Sequence, residues 1–386
     1  MQVSDLRIAL FSGNYAMTVD GANKALNRLV DYLLRQGAQV RVYSPTIEKP
    51  PFEPKGELVS LPSIAIPGRS EYRVPAWLGK RVREDLAAFD PHVVHISSPD
   101  FAAREAASWA RERNLPVVAS VHTRFETYPR YYRLGFMEPA VEAWLRKLYR
   151  RCDALVTPSP SMIDTLREQK MNRDIGLWSR GVEHQIFNPE RRDHAWRREL
   201  GFADGDVVVG FLGRLVLEKG LDVFGDVVAE LERREVPHKV LVIGDGPARA
   251  AFEDKMPTAC FVGFQGGADL GRAVASMDVL LNPSVTETFG NVTLEAMACG
   301  VPVVAADATG AASLVEDGIN GYLVPPRDAG AYADRIAGYV ADPALRIAHG
   351  QAGADRAKAF EWDAINKAVA DTYLRVLAVR NDLKRR

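Results

Sequence analysis

The sequence predicts an α/β protein made of two Rossmann-like halves with parallel sheets. Three observations carry this expectation. At 386 residues the chain exceeds one ordinary core, so two domains of roughly 180 residues each are expected. Short apolar runs alternate with longer helical stretches, the pattern of a parallel, doubly wound sheet. That alternation runs twice, on either side of the polar, charge-rich stretch 181–206, which reads as the connection between domains.

In the first half, LRIALFS (6–12) reads as a buried strand, followed by a loop with Gly13 and Gly21. Residues 22–36 set Leu26, Leu29, Val30, Leu33 and Leu34 on one helical stripe, and Gly37 stops it. AQVRVYSP (38–45), HVVHISSP (92–99), PVVASVHT (116–123) and ALVTPS (154–159) continue the strands, each after a helical segment. The second series is VVVGFLG (207–213), HKVLVIGDG (238–246), ACFVGF (259–264), DVLLNPS (278–284) and VPVVAAD (301–307). The stretch 362–380 is helical in pattern.

Bulk numbers exclude several classes. The chain is 47% hydrophobic and 26% charged with a net charge of −1, which argues against a dedicated nucleic-acid binder. Residues 1–180 nevertheless carry 26 Lys and Arg against 20 Asp and Glu, leaving 23 against 30 in the remainder. A basic half and an acidic half suggest different partners, although surface charge also drifts without meaning. Cys152, Cys260 and Cys299 have no metal-type spacing and form an odd set, which reads as thiols in a reducing compartment. No run of about 20 apolar residues exists, so a cytoplasmic protein is expected, with membrane contact only peripheral, at the inner face of the cytoplasmic membrane.

The chemistry gathers in TETFGNVTLEAMACG (286–300), where Glu287 precedes an apparent helix and Glu295 lies within it. Ligands of open parallel sheets bind beyond the carboxyl ends of the strands, and this loop follows such an end. Asn291 is a good N-cap type, and Gly300 with Pro302 marks the stop. Free N–H groups at the helix start attract anions, and Gly290 lets a phosphate approach the backbone. Glu295, one turn in, can accept hydrogen bonds from a ribose diol, while Glu287 lies nearer the sugar end of a nucleotide-sugar. In GRLVLEKG (213–220), Arg214 and Lys219 supply fixed positive charge for a diphosphate leaving group. Gly244-Asp245-Gly246-Pro247 reads as a tight turn. Asp204-Gly205-Asp206 precedes a strand and reads as a turn rather than a metal site.

These segments, GRLVLEKG, VIGDGP, NPSVTETFGNVTLEAMACGVPVVAAD and EDGINGYLVPPRD, in this order, resemble the retaining glycosyltransferases of family 4, which have the GT-B fold. DGANKALNRLVDYLLRQGAQVRVYSP, PHVVHISSPDFAAREAASWARERNLPVVASVHT and GLWSRGVEHQIFNPERR extend the resemblance over nearly the whole chain. The wording TETFGN, SVHT and SRGV is most similar to sulfoquinovosyl-, glucosyl- and mannosyltransferases that glycosylate membrane lipids. The resemblance implies an N-terminal acceptor domain (1–183), a C-terminal nucleotide-sugar domain (184–362) and a last helix (363–386) packing back on the first domain, with the two domains facing across a cleft. It implies that Glu295 binds the donor ribose, Glu287 the sugar, and Arg214 and Lys219 the diphosphate. Backbone groups at Phe289, Gly290 and Asn291 assist, with Gly263 and Phe264 beside the base. In the first half it assigns His122 to the donor sugar near the reacting carbon and Gly21 to the phosphates. Lys24 and Arg124 depart from the small or non-basic residues common in the family, which affects the acceptor side.

The first half offers no motif for a carboxylate nucleophile, so front-face attack with an oxocarbenium-like transition state is expected, the leaving diphosphate taking the acceptor's proton. Such a mechanism needs no metal and no cofactor beyond a nucleotide-sugar donor, a UDP-sugar in preference to a GDP-sugar. Residues 124–151 carry seven Arg and Lys against three Glu, interleaved with Tyr128, Tyr131, Tyr132, Phe136, Trp144 and Tyr149. That pattern suits an anionic membrane surface and hence a lipid acceptor of the diacylglycerol type. It also fits a half-buried helix with a basic face; no nucleic-acid motif accompanies it. No partner protein is indicated. A soluble or polysaccharide acceptor, and a non-catalytic nucleotide-sugar-binding module, are the competing readings.

Overall fold

In the computed structural model, the described residues are 1–386 without 18–20, 67–68, 128–133, 309 and 386; the side chains of 66, 69–72 and 383–385 are also left undescribed. The chain divides into two compact units, Met1–Ser179 with Trp362–Arg386, and Arg180–Glu361.

The first unit runs β1 (Arg7–Phe11), α1 (Gly21–Arg35), β2 (Gln39–Ser44), β3 (Glu57–Ser60), β4 (Ser63–Ile66), β5 (Arg69–Pro75), α2 (Lys80–Phe89), β6 (Val93–Ile96), α3 (Phe101–Glu112), β7 (Val117–Ser120), α4 (Glu138–Tyr149), β8 (Ala154–Thr157), α5 (Pro160–Glu168) and β9 (Ile175–Leu177). Seven strands form a parallel sheet in the order β3-β2-β1-β6-β7-β8-β9, while β4 and β5 pair antiparallel. Alternate strand residues feed opposite cores: Ala9 and Phe11 face one cluster, Ile8 and Leu10 the other. Alanines 102, 103, 106, 107 and 110 of α3 are all buried, so this helix lies close on the sheet. In α1 the buried stripe includes Tyr32, whereas Leu34, expected on it, is exposed.

The second unit runs α6 (His194–Glu199), β10 (Val208–Leu212), α7 (Leu221–Arg233), β11 (Lys239–Ile243), α8 (Arg249–Lys255), β12 (Cys260–Gly263), α9 (Gly267–Ala275), β13 (Val279–Asn282), α10 (Asn291–Ala298), β14 (Val303–Ala306), β15 (Gly321–Val324), α11 (Ala329–Ala341) and α12 (Pro343–Ala357). Its parallel sheet has the order β12-β11-β10-β13-β14-β15. The chain then enters α13 (Trp362–Arg385), whose Val369, Ala370, Tyr373, Val376 and Leu377 join the core of the first unit beside α1. Both sheets reverse direction of growth at one place, between β1 and β6 and between β10 and β13. Such switch points open a crevice beyond the strand ends, where ligands of this architecture bind.

The ten sequence-predicted strands all form, trimmed by up to three residues at an end. Four were not foreseen as parts of the parallel sheets or the hairpin: β3, β4, β5 and the three-residue β9, and β15 was read only as part of a motif. The stretch 181–206 is not a loose connection. Arg197 is fully buried and donates to the Ser276 and Asp206 carbonyls at 2.6 and 2.7 Å and to Asp278 at 2.9 Å. Arg192 takes the other Asp278 oxygen at 2.8 Å. Two of the arginines of this charge-rich stretch thus converge on one buried carboxylate. Cys152 and Cys299 are buried, none of the three thiols is in a disulfide, and burial raises the pKa of all three.

Candidate active site

The loops that follow β10 and β13 flank the switch point of the second unit. After β10, Gly213, Arg214 and Leu215 lead into a 3-10 turn, Leu217–Lys219, and Gly220 in the left-handed region (φ 74°) opens α7. A methyl group on Gly220 would lie 3.0 Å from the Pro283 carbonyl, so the two loops pack backbone to backbone. The hydroxyl of Thr286 donates to the Glu218 carbonyl at 3.2 Å, a second tie.

This packing brings Lys219 Nζ to 3.0 Å from Glu287 Oε1, with the Glu287 side chain only 10% exposed. The second oxygen lies 3.5 Å from Asn282 Nδ2, which also donates to Thr293 Oγ1 at 3.1 Å. Asn282 thus ties the end of β13 to the first turn of α10. A methyl group on Gly290 would sit 3.3 Å from Glu287 Oε2, and one on Gly310 only 2.8 Å from Glu287 Cβ and carbonyl oxygen. The carboxylate is therefore seated between a lysine and the positive end of a helix. Asn291 is not the N-cap. Gly290 holds that position at φ 96°, a conformation strained for asparagine, and Asn291 is the first helical residue.

Glu295 lies one turn into α10 and is half-buried; Arg214 is exposed. Phe289 turns its ring into the core against Phe360, centroids 5.9 Å apart, so only its backbone faces the loop. Next to these loops, Gly244 and Gly246 have a structural role. Added methyl groups would meet the Gly213 and Leu215 carbonyls at 1.9 and 2.4 Å. Backbone bonds from Gly213 to Ile243, Leu215 to Asp245 and Gly244 to Gly263 lace the three loops together. Gly263 adopts φ 69° and is followed by Phe264, whose 72% exposure is unusual for so large an apolar ring. Sequence reasoning missed Asn282, Thr293 and Gly310. The first two stood within the quoted motif, and Gly310 carried no signal beyond a glycine after a strand. Asp204 and Gly205 do form a turn, with Asp206 N–H donating to the Ala203 carbonyl at 3.1 Å.

The remaining expected residues lie in the first unit. His122 follows β7, is 9% exposed, and sets its ring edge-on to Trp178 with centroids 5.0 Å apart. Gly21 begins α1, and Lys24 is exposed one turn later. Arg124 Nε donates at 2.8 Å to Glu126, whose carboxylate is buried. Beyond β6, Asp100 caps α3 through Ala103 N–H at 2.8 Å and accepts from Ser98 Oγ at 2.6 Å. Burial outweighs those bonds and pushes its carboxyl up to about 6. Tyr128, Tyr131 and Tyr132 lie outside the described residues. Among the described residues no cluster of His, Cys, Asp and Glu could hold a metal ion, and no helix is long and apolar enough to cross a membrane.

Cation, carboxylate and helix start gathered at the switch point of a parallel sheet make a site suited to a phosphate-bearing ligand. The comparisons agree. The family model for Glycosyl transferases group 1 matches residues 206–342, and that for Glycosyltransferase Family 4 matches 19–186. A GDP-mannose-dependent alpha-mannosyltransferase of Mycobacterium tuberculosis is 32% identical over 83% of this chain and 84% of its own. An alpha-monoglucosyldiacylglycerol synthase of Acholeplasma laidlawii is 24% identical over 82% and 84%. Among solved structures, sucrose-phosphate synthase from Thermosynechococcus elongatus superposes with a TM-score of 0.77, covering 97% of this chain and all of that one, at 21% identity. The chain belongs to the family 4 glycosyltransferases of the GT-B fold, enzymes that move a sugar from a nucleotide-sugar donor.

Proposed function

We propose that the chain transfers mannose from GDP-mannose to a hydroxyl of a diacylglycerol-type lipid, with retention of configuration and without a metal ion. The observation that carries the reading is the Lys219–Glu287 pair seated against the start of α10. In this reading Lys219, Arg214 and the N–H groups at Gly290 and Asn291 face the diphosphate, and Glu287 accepts hydrogen bonds from the sugar while holding Lys219 in place. Glu295 takes the ribose, and Gly263 and Phe264 flank the base. The bond from the anomeric carbon to the phosphate oxygen breaks as that from the acceptor oxygen forms on the same face. The acceptor's proton passes to the departing phosphate, whose charge the cations and helix start stabilise. His122 acts beside the sugar and Gly21 beside the phosphates.

The sequence favours a uridine donor; the proposal takes guanosine instead, supported by the mycobacterial relative named for GDP-mannose, which matches over most of the chain. Calorimetry with UDP, GDP, UDP-glucose, UDP-glucuronate and GDP-mannose tests this. GDP and GDP-mannose should bind and the uridine compounds should not; the reverse result restores the uridine donor. No binding by any removes the site assignment.

The lipid acceptor is supported by the name of the Acholeplasma relative and by the segment that precedes α4. There Leu134, Phe136 and Met137 are exposed, Phe136 by 79%, and Lys147 and Arg150 lie exposed farther along. Apolar anchors beside basic side chains fit an anionic bilayer. The protein should sediment with vesicles containing phosphatidylglycerol, and Phe136→Ser should weaken this. Full transfer to a soluble acceptor with no vesicle binding sinks the lipid reading.

A further inference from the structure

We propose that the C-terminal helix sets the orientation of His122, with Trp178 and Asn366 as positioning residues. The inference rests on the proposed role of His122 beside the transferred sugar. Trp178 is fully buried and its indole nitrogen can only donate. It donates to Asn366 Oδ1 of α13 at 3.2 Å, while Asn366 Nδ2 donates to the Arg28 carbonyl of α1 at 3.2 Å. The carboxamide is thus held at both ends, and a flip would set donor against donor. The indole in turn meets the His122 ring edge-on at 5.0 Å.

The backbone is fixed from the same direction. Trp178 N–H donates to the Thr157 carbonyl at 2.8 Å, and the Thr157 hydroxyl donates to the Val121 carbonyl at 3.1 Å. The peptide leading into His122 and the backbone that carries the indole are therefore both anchored on Thr157. The indole also meets His95 edge-on, with ring centroids 6.3 Å apart. Its Nδ1 lies 2.5 Å from Tyr373 Oη, and its Nε2 lies 2.9 Å from Ser120 Oγ. Asn366 and Tyr373 are seven residues apart, two turns, so one face of α13 contributes both contacts. The His122 ring cannot tilt toward the indole without displacing a fully buried ring that the last helix holds.

Two variants test this in the full chain. Asn366→Leu removes the acceptor of the indole N–H, and Trp178→Phe keeps an aromatic ring but removes the donor. In nitrogen-edited spectra the His122 imidazole, assigned by its loss in His122→Ala, should shift in both variants. Turnover of GDP-mannose should fall on the order of 10-fold, as expected of a misplaced group near the reacting atoms, while GDP affinity changes by less than about twofold. In a His122→Ala background, Asn366→Leu should lower turnover no further. An unmoved His122 resonance in both variants overturns the inference, as does an equal additional loss in the His122→Ala background. Wild-type turnover in His122→Ala with the resonance still displaced in the other variants would overturn the role of His122 and uphold its positioning.

Discussion

Lys219 and Glu287 lie 68 positions apart in sequence, yet each keeps the other in place. Lys219→Met leaves a carboxylate that is 10% exposed at a helix start without its cation. Donor turnover should fall by about 2.7–4 kcal/mol in barrier terms, as when one oxyanion donor is deleted. Steady-state kinetics showing wild-type turnover would remove Lys219 from the site. Phe264 offers the opposite case. Its ring is largely in solvent, so Phe264→Ala should leave stability within about 0.5 kcal/mol. Nucleotide affinity should nevertheless drop by about 1–3 kcal/mol if a base stacks on it. Thermal melting and calorimetry on the same variant separate the two effects, and unchanged nucleotide affinity argues against a base there.

Among the elements, β6 and the loop after it hold two titrating groups that pull in opposite directions. Burial pushes the His95 imidazole down to about 3 from its ordinary 6.5. The unfolded chain therefore binds more protons than the folded one in that interval, and this contribution to stability is lost as pH falls from 6.5 toward 3. Asp100, raised from 3.8 to about 6, stabilises the fold below 3.8 and loses that contribution as pH rises toward 6. The His95 interval is the wider. His95→Gln should flatten the acid side of a stability-against-pH curve measured by denaturant unfolding; an unchanged acid slope contradicts a neutral buried imidazole. The same elements show how far sequence pattern reaches. Long apolar runs such as HVVHISSP and DVLLNPS announced β6 and β13. β9 has three residues and β3 reads ELVS, too short and too polar for periodicity to find. They are strands because neighbouring backbones offer them hydrogen bonds.

For the molecule as a whole, positive charge from Arg214, Lys219 and the start of α10 is proposed to meet the leaving diphosphate without a metal. Transfer should survive exhaustive chelation with EDTA, and a requirement for added magnesium or manganese would overturn that mechanism. The family and the doubly wound sheets could be read from the chain, and the residues proposed for the donor side lie in the same local motifs. A glycine-rich turn, a helix start and a glutamate eight residues before another depend on near neighbours and carry their chemistry in sequence order. Other features are contacts between residues far apart along the chain, and only the fold creates them. Arg192 and Arg197 stand in a charge-rich stretch that reads as a connection, and only the fold places Asp278 against them. Gly310 looked ordinary until Glu287 was pressed on it. Trp178 and Asn366 meet across 188 positions, and no periodicity encodes that hydrogen bond. Local pattern specified most of the strands and helices and the motifs in which the anion site is proposed; long-range packing decided which charges are buried, which glycine must be a glycine, and what holds His122.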